Sequence, residues 1–156
     1  MDRLQWLQPL AGGCWVAAGQ VPGLGEYTAE RAYSWVLGGQ FLAERHNMDL
    51  GRYAMKWDSV IGWHPDAQKV IQYSFGNDGS IAVCELTVQN DELVIEGERF
   101  GGARPGPLRR RLKPVSSDQF IEVTEAARRG EWAPVMQMNF VRRTPAALRA
   151  EASTAL

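Results

Sequence analysis

The chain carries two histidines and two cysteines, so acid–base, nucleophilic or metal chemistry would have to be built from few groups. His46 follows Glu44 and Arg45 near what reads as a strand end. An imidazole there has the chemistry of a proton shuttle or a ligand contact. No partner set at metal-ligand spacing accompanies it, and the plainer reading is structural. His64 opens "HPDAQ" and reads as a solvated turn residue. Glu85 is the most suggestive charge, because it interrupts the apolar run "IAVCELTV". If Ile81, Val83 and Thr87 face inward, Glu85 does too, and it then needs a partner or a shifted pKa. Paired with Arg99 or Arg45 it would orient a polar ligand group, or it would act as acid or base. If Ala82, Cys84, Leu86 and Val88 face inward instead, Glu85 is solvated; this parity carries somewhat more weight. Cys14 and Cys84 sit among apolar neighbours and read as buried free thiols, in keeping with a reducing compartment. Neither residue type has zinc spacing, and no nucleophile elbow or phosphate-binding loop is present. "GGARPG" lacks the dinucleotide fingerprint spacing and opens no helix, so it reads as a flexible lip.

A second set is aromatic. In "YAMKWDSVIGW", Tyr53, Met55, Trp57, Ser59, Ile61 and Trp63 share one face, with Lys56 and Asp58 on the other. Core packing is the plainer account of such a stripe. The sharper account is a ligand wall, in which Trp35, Tyr53, Met55, Trp57 and Tyr73 supply stacking surface and a few polar tips. Met136 and Met138 would add an adaptable apolar surface opposite. The two accounts overlap if one end of an interior is core and the other is pocket.

These residues must be positioned by short strands. "MDRLQWLQPL" reads as a short helix, with Asp2 and Gln5 at capping-box spacing, Leu4, Leu7 and Leu10 on one side, and Pro9 stopping it before the glycines. Beyond it the period becomes two. Strands are read at "YTAERAYSWVL", "GGQFLAERHNM", "YAMKWDSVIGW", "KVIQYSF", "IAVCELTVQ" and "LVIEGERF", with turn chemistry at "HPDAQ", "GNDGS" and "NDE". "GGARPGPLRRRLKP" reads as a long connection and a basic strand. "SDQFIEVTEAARRGEWAPVMQMNFVRR" supplies two more strands, reversing around Arg129 to Pro134. About nine or ten short strands leave long edges unless the sheet closes on itself. The expected fold is therefore all-β: a closed antiparallel barrel behind a short N-terminal helix. Its interior would hold one small ligand. Residues 1–143 form this domain, and 144–156 read as a flexible tail.

Composition narrows the function classes. A chain of 156 residues fits one domain, which at this size buries roughly 70% of its unfolded surface. A net charge of -1 exerts no general pull toward nucleic acid or an anionic membrane. "LRRRLK" invites a nucleic-acid reading, but alternation splits its charges between two faces, where Glu122 and Glu125 can pair with them across strands. It is read as a solvated edge strand blunted by charge. No basic-then-apolar leader opens the sequence, and no run approaches the ~18 apolar residues of a membrane span. The expectation is a cytoplasmic protein with no nucleic-acid or membrane partner; oligomeric state is left open.

"GGCW" after a short amphipathic segment resembles the opening of a calycin (lipocalin-like) barrel, whose first strand carries a Gly-x-Trp signature met here by Gly13 and Trp15. The resemblance implies that Trp15 plugs the closed end and that an arginine of the last strand packs over its face. "NFVRR" offers Arg142 and Arg143, with Arg142 preferred because it shares parity with Met136, Met138 and Phe140. The order "LAGGCW", "YSWVLGGQFL", "DSVIGWHPDAQKVIQYSFGNDGS" is similar to the DUF1579 family of lipocalin-like bacterial proteins over roughly residues 4 to 100. That family implies a fold and no activity. A more distant likeness, to nitrobindin-type barrels that bind haem through a histidine near the C-terminal end, is not matched at that position. Haem is disfavoured accordingly, with Met136 or Met138 as weak ligands at most, and neither metal nor other cofactor is expected.

Taken together, the sequence points first to a binder of a small, largely apolar or aromatic molecule held in the barrel. The alternative is an isomerase- or cyclase-type enzyme using Glu85 or His46, and haem binding comes third.

Overall fold

The computed structural model describes residues 3–143. The Asp2 half of the expected capping box and the expected tail lie outside them. Ten strands follow one another: β1 (Cys14–Val21), β2 (Gly25–Val36), β3 (Phe41–Asp49), β4 (Ala54–His64), β5 (Lys69–Gly76), β6 (Ile81–Gln89), β7 (Glu92–Phe100), β8 (Gly106–Ser116), β9 (Gln119–Arg128) and β10 (Glu131–Arg143). Each pairs antiparallel with its neighbours in sequence, and β1 closes on β10 through Cys14↔Arg143, Trp15↔Arg142 and Val16↔Val141. The barrel is closed. The basic strand β8 therefore has no free edge: it is paired with β7 on one side and β9 on the other, which corrects the edge-strand expectation.

The turns follow their residues. Asn90 and Asp91 both take positive φ (51° and 62°), as a two-residue hairpin turn matched to strand twist requires. The last reversal is tighter than expected, at Arg129 and Gly130, and Pro134 lies inside β10 beside a bulge between Pro134 and Met136. Proline there costs little, because the ladder is already interrupted. The N-terminal helix is a 3-10 segment, Gln5–Leu10, which contains Pro9 and has no side-chain cap at Leu4. Leu4 and Leu7 are buried under the barrel, so it serves as a lid across the base.

Alternation gives each strand an inward set, and one strand inverts the usual chemistry. In β5 the buried residues are Val70, Gln72 and Ser74, whereas Tyr73 and Phe75 are exposed. The outer apolar residues continue across the pairs Val60↔Tyr73↔Val83 and Phe75↔Ile81↔Phe100. Polar groups inside and apolar groups outside on a single strand mean that the lumen is not an ordinary hydrophobic core. Five turns, after β1, β3, β5, β7 and β9, gather at the end opposite the lid and form the mouth. Two of them are latched together by Asp78, whose carboxylate accepts from Ser80 N (3.0 Å) and from Ala103 N (3.2 Å). A hydrogen bond from the Ser80 side chain first, and then these two amide bonds, hold the Asp78 carboxyl well below its usual range, at about 2.

Candidate functional site

The base of the barrel is sealed by side chains. Trp15 is buried, and its indole N–H donates to Leu10 O at 2.9 Å, fixing the ring against the lid. The Arg142 guanidinium lies 4.3 Å over the ring, and donates to the carbonyls of Ala11 (2.9 Å), Gly12 (2.8 Å), Ser117 (3.3 Å) and Pro9. Gly13 is required here twice over. Its φ is +74°, and a Cβ would stand 3.0 Å from Arg143 O and 3.2 Å from Arg142 Cγ. The Gly-x-Trp and arginine expectation is thus realised with Arg142 as the partner.

From Trp15 a column of rings climbs the lumen. Trp15 meets Phe120 at 4.8 Å, Phe120 stacks on Phe140 at 5.0 Å, Phe140 meets His46 at 6.4 Å, and His46 meets Trp57 at 5.4 Å between centroids. Around the middle of this column the lumen is crossed by charge. Arg31, 1% exposed on β2, makes a two-pronged bond to Glu122 of β9, at 2.5 and 2.7 Å, with its guanidinium 4.8 Å over the Phe140 ring. Its Nε lies 3.6 Å from Glu44 of β3. Glu44 accepts from Tyr33 Oη (3.1 Å) and Gln72 Nε2 (2.5 Å). Gln72 Oε1 accepts from Arg110 Nη2 at 3.3 Å, and Arg110 Nη1 lies 3.6 Å from Glu122. Arg31, Glu122, Arg110, Gln72 and Glu44 therefore close a polar ring contributed by five strands. Ser59 and Ser74 add a hydroxyl pair at 2.8 Å.

Low dielectric makes such a layer stable only when charges are matched. The match holds the Glu122 carboxyl below its usual range: burial opposes ionisation, and the Arg31 and Arg110 charges with the Arg31 hydrogen bond outweigh it. Tyr33 is pushed far the other way, first by burial and then by Glu44, so its hydroxyl remains a donor. His46 has its pKa well below the ordinary value, through burial first and then the Arg31 and Arg110 charges. It is neutral, and its Nε2 is buried without a hydrogen-bond partner among the described residues. That is an available polar atom between Phe140 and Trp57.

The residues singled out from sequence distribute themselves unequally. His46, Met55, Trp57 and Met138 stand on inward positions, Met138 fully buried and Met55 and Trp57 half-buried nearer the mouth. Met136 is half-buried at the β10 bulge. Trp35 belongs to the opposite end, donating to Gln8 Oε1 of the lid at 2.8 Å. Tyr53 precedes β4 and is 63% exposed, and Tyr73 is on the outer wall, so the structure puts neither tyrosine in the lumen. Glu85 also faces out: it binds Lys69 at 2.6 Å and borders a shallow outer groove with Glu96 and Glu98. The parity with Cys84 and Leu86 buried inward is the one observed. His64 caps its own turn, accepting from Ala67 N at 3.3 Å. Both cysteines are free, Cys84 buried and Cys14 half-buried. Arg109 and Arg111 pair on the outer wall with Glu125, at 2.5 and 3.3 Å, while Arg110 between them points in.

The polar ring itself was not anticipated. The signal available for it was parity: Arg31 falls in step with Tyr27, Ala29 and Tyr33, Glu44 with Leu42 and Met48, and Glu122 with Phe120. A recess of about 260 Å³ also lies under the base, between the lid and the β6–β7 and β8–β9 turns. Its lining is mostly apolar with Asp91 as the sole ionisable group, so the convergent chemistry is in the lumen. Among the described residues no group of three or more acidic, histidine or cysteine side chains is arranged to hold a metal, and no helix is long and apolar enough to cross a membrane. Compared with known proteins, the sequence matches no family model and no curated relative.

Proposed function

We propose that the barrel binds a small molecule through its mouth, resting an apolar or aromatic body against Trp57, Met55 and Met136 and a polar group on the charged layer below. One observation carries this reading: buried His46, with an unpaired Nε2, lies between that layer and the half-exposed Trp57. Burying a polar atom without a partner costs about 1–3 kcal/mol, a cost that a ligand donor or acceptor offsets. Apolar walls with a few placed polar groups are the usual make-up of a small-molecule site.

The test is a thermal-shift and calorimetric screen of aromatic and aliphatic compounds, repeated on Ala82→Phe. Ala82 is a half-buried inward residue toward the mouth, and a ring there would stand between the mouth and the layer. Saturable binding lost in Ala82→Phe is expected. Binding indifferent to that substitution, or no binder at all, would refute the reading.

An enzymatic variant rests on His46 rather than Glu85. A neutral imidazole facing the lumen has a ring nitrogen to exchange a proton with a bound compound, whereas Glu85 is tied to Lys69 outside. Chemical conversion of a bound compound that stops in His46→Gln, with binding intact, would favour it.

A further inference from the structure

The charges that face into the lumen are unevenly paired. Above the Trp15 plug, three guanidiniums (Arg31, Arg99, Arg110) share Glu44 and Glu122 in the layer and Asp78 at the rim. Arg31 occupies both oxygens of Glu122, and Glu44 is already shared among Arg31, Tyr33 and Gln72. Arg110 is left with one long contact to each of Glu122 and Gln72. Arg99 has less still. It stands one residue from the mouth end of β7, half-buried on the inward parity of Ile95 and Gly97, and makes no hydrogen bond or ion pair within 4.0 Å among the described residues. The neighbouring Arg110 charge repels it, and the acid that acts on it most is Asp78, which already serves the rim latch. An elongated cation held against a like charge in a partly desolvated space costs free energy that an incoming anion recovers.

Resting on the reading that the lumen is a binding site, we infer that its ligand is a monoanionic carboxylic acid, with the carboxylate between Arg99 and Arg110 and the apolar body against Trp57 and Met136. One carboxylate supplies the close ion pair that Arg99 and Arg110 both lack among the described residues. The planar guanidinium fork matches a carboxylate's two oxygens. An inorganic or ester phosphate would bring a second negative charge toward Glu44, Glu122 and Asp78, three carboxylates that already share these guanidiniums.

The experiment compares 2-naphthoate and decanoate with their primary amides and with 2-naphthyl phosphate, by calorimetry on the full chain at neutral pH. Each acid should bind about 10- to 100-fold more tightly than its amide. Arg99→Gln should erase that preference, lowering acid affinity far more than amide affinity, and Arg110→Gln should weaken it. Added salt should weaken the acids alone. Acid and amide binding equally would overturn the carboxylate assignment and leave the lumen site standing. A phosphate ester binding more tightly than the acid would overturn it as well. No binding by any of the three compound types would remove the site and the assignment together. Arg99 lies at the mouth outside the polar ring, so Arg99→Gln folds, and circular dichroism melting verifies this before binding is read.

Discussion

Three buried or half-buried arginines sit at three heights in this barrel, and each solves the burial of a guanidinium differently. At the base, Arg142 spends its donors on main-chain carbonyls of the lid and the β8–β9 turn and rests its face on Trp15. Midway, Arg31 is neutralised by Glu122 and Glu44 and rests on Phe140. Near the mouth, Arg99 has no such partner among the described residues. The first arrangement fixes geometry mainly through main-chain acceptors, with one ion pair to Asp118 at 3.4 Å. The second fixes geometry through charge and is rigid for that reason. The third leaves interaction free energy unrealised, which suits a group that receives something from outside. Structural and receptive parts of one lumen thus differ in whether their polar groups are already used.

A series of arginine-to-methionine substitutions tests this comparison, since methionine keeps much of the stem and removes the charge. Arg31→Met should have the largest effect, about 3–5 kcal/mol by urea denaturation, because it strands two buried carboxylates. Adding Glu122→Leu to it should return part of that loss; a double variant less stable than the single would contradict the charge-matching account. Arg142→Met should cost about 1–3 kcal/mol, from lost hydrogen bonds and the lost face contact on Trp15. Arg99→Met should be neutral or mildly stabilising. If it instead destabilised the fold as much as Arg142→Met, Arg99 would be structural and the contrast would fail.

A smaller effect comes from His46. Its folded pKa is lowered below the ordinary 6.5, so the unfolded chain binds the extra proton first as pH falls. Its contribution to stability is fully present above pH 6.5 and declines as pH drops below that value toward the folded pKa. His46→Gln should flatten this limb of the stability curve. Imidazole carbon shifts that titrate near 6.5 in the folded protein would contradict the burial.

Much of this architecture was legible in period-two alternation. The bounds read for β6 match those found, and the turns at "GNDGS" and "NDE" fall where their residues require. Closure at the base was legible because Gly13, Trp15 and Arg142 act through shape and backbone conformation, which leave a residue-type trace. The lumen was less so. An apolar residue was taken to mark the inner face, and β5 breaks that rule by burying Gln72 and Ser74 while exposing Tyr73 and Phe75. Tyr53 looked like part of the β4 stripe, but the strand begins one residue later. Glu85 drew attention as a charge in an apolar strand, whereas the buried carboxylates Glu44 and Glu122 sat in strands with other charges and were inconspicuous. Their burial depends on Arg31 arriving from a strand remote in sequence, information that no local window contains.

The closing ladder joins the two ends of the described chain through only three residue pairs, and the Arg142 contact to Ala11 spans 131 positions. Every other ladder joins neighbours and can zip from its turn; this one must bring distant segments together, at a loop-closure entropy paid late. Until it forms, β1 and β10 are bare edges able to pair with another molecule. The arginine that clamps lid, plug and final strand therefore does more than hold a finished wall: it secures the one ladder whose partners come from opposite ends of the described chain.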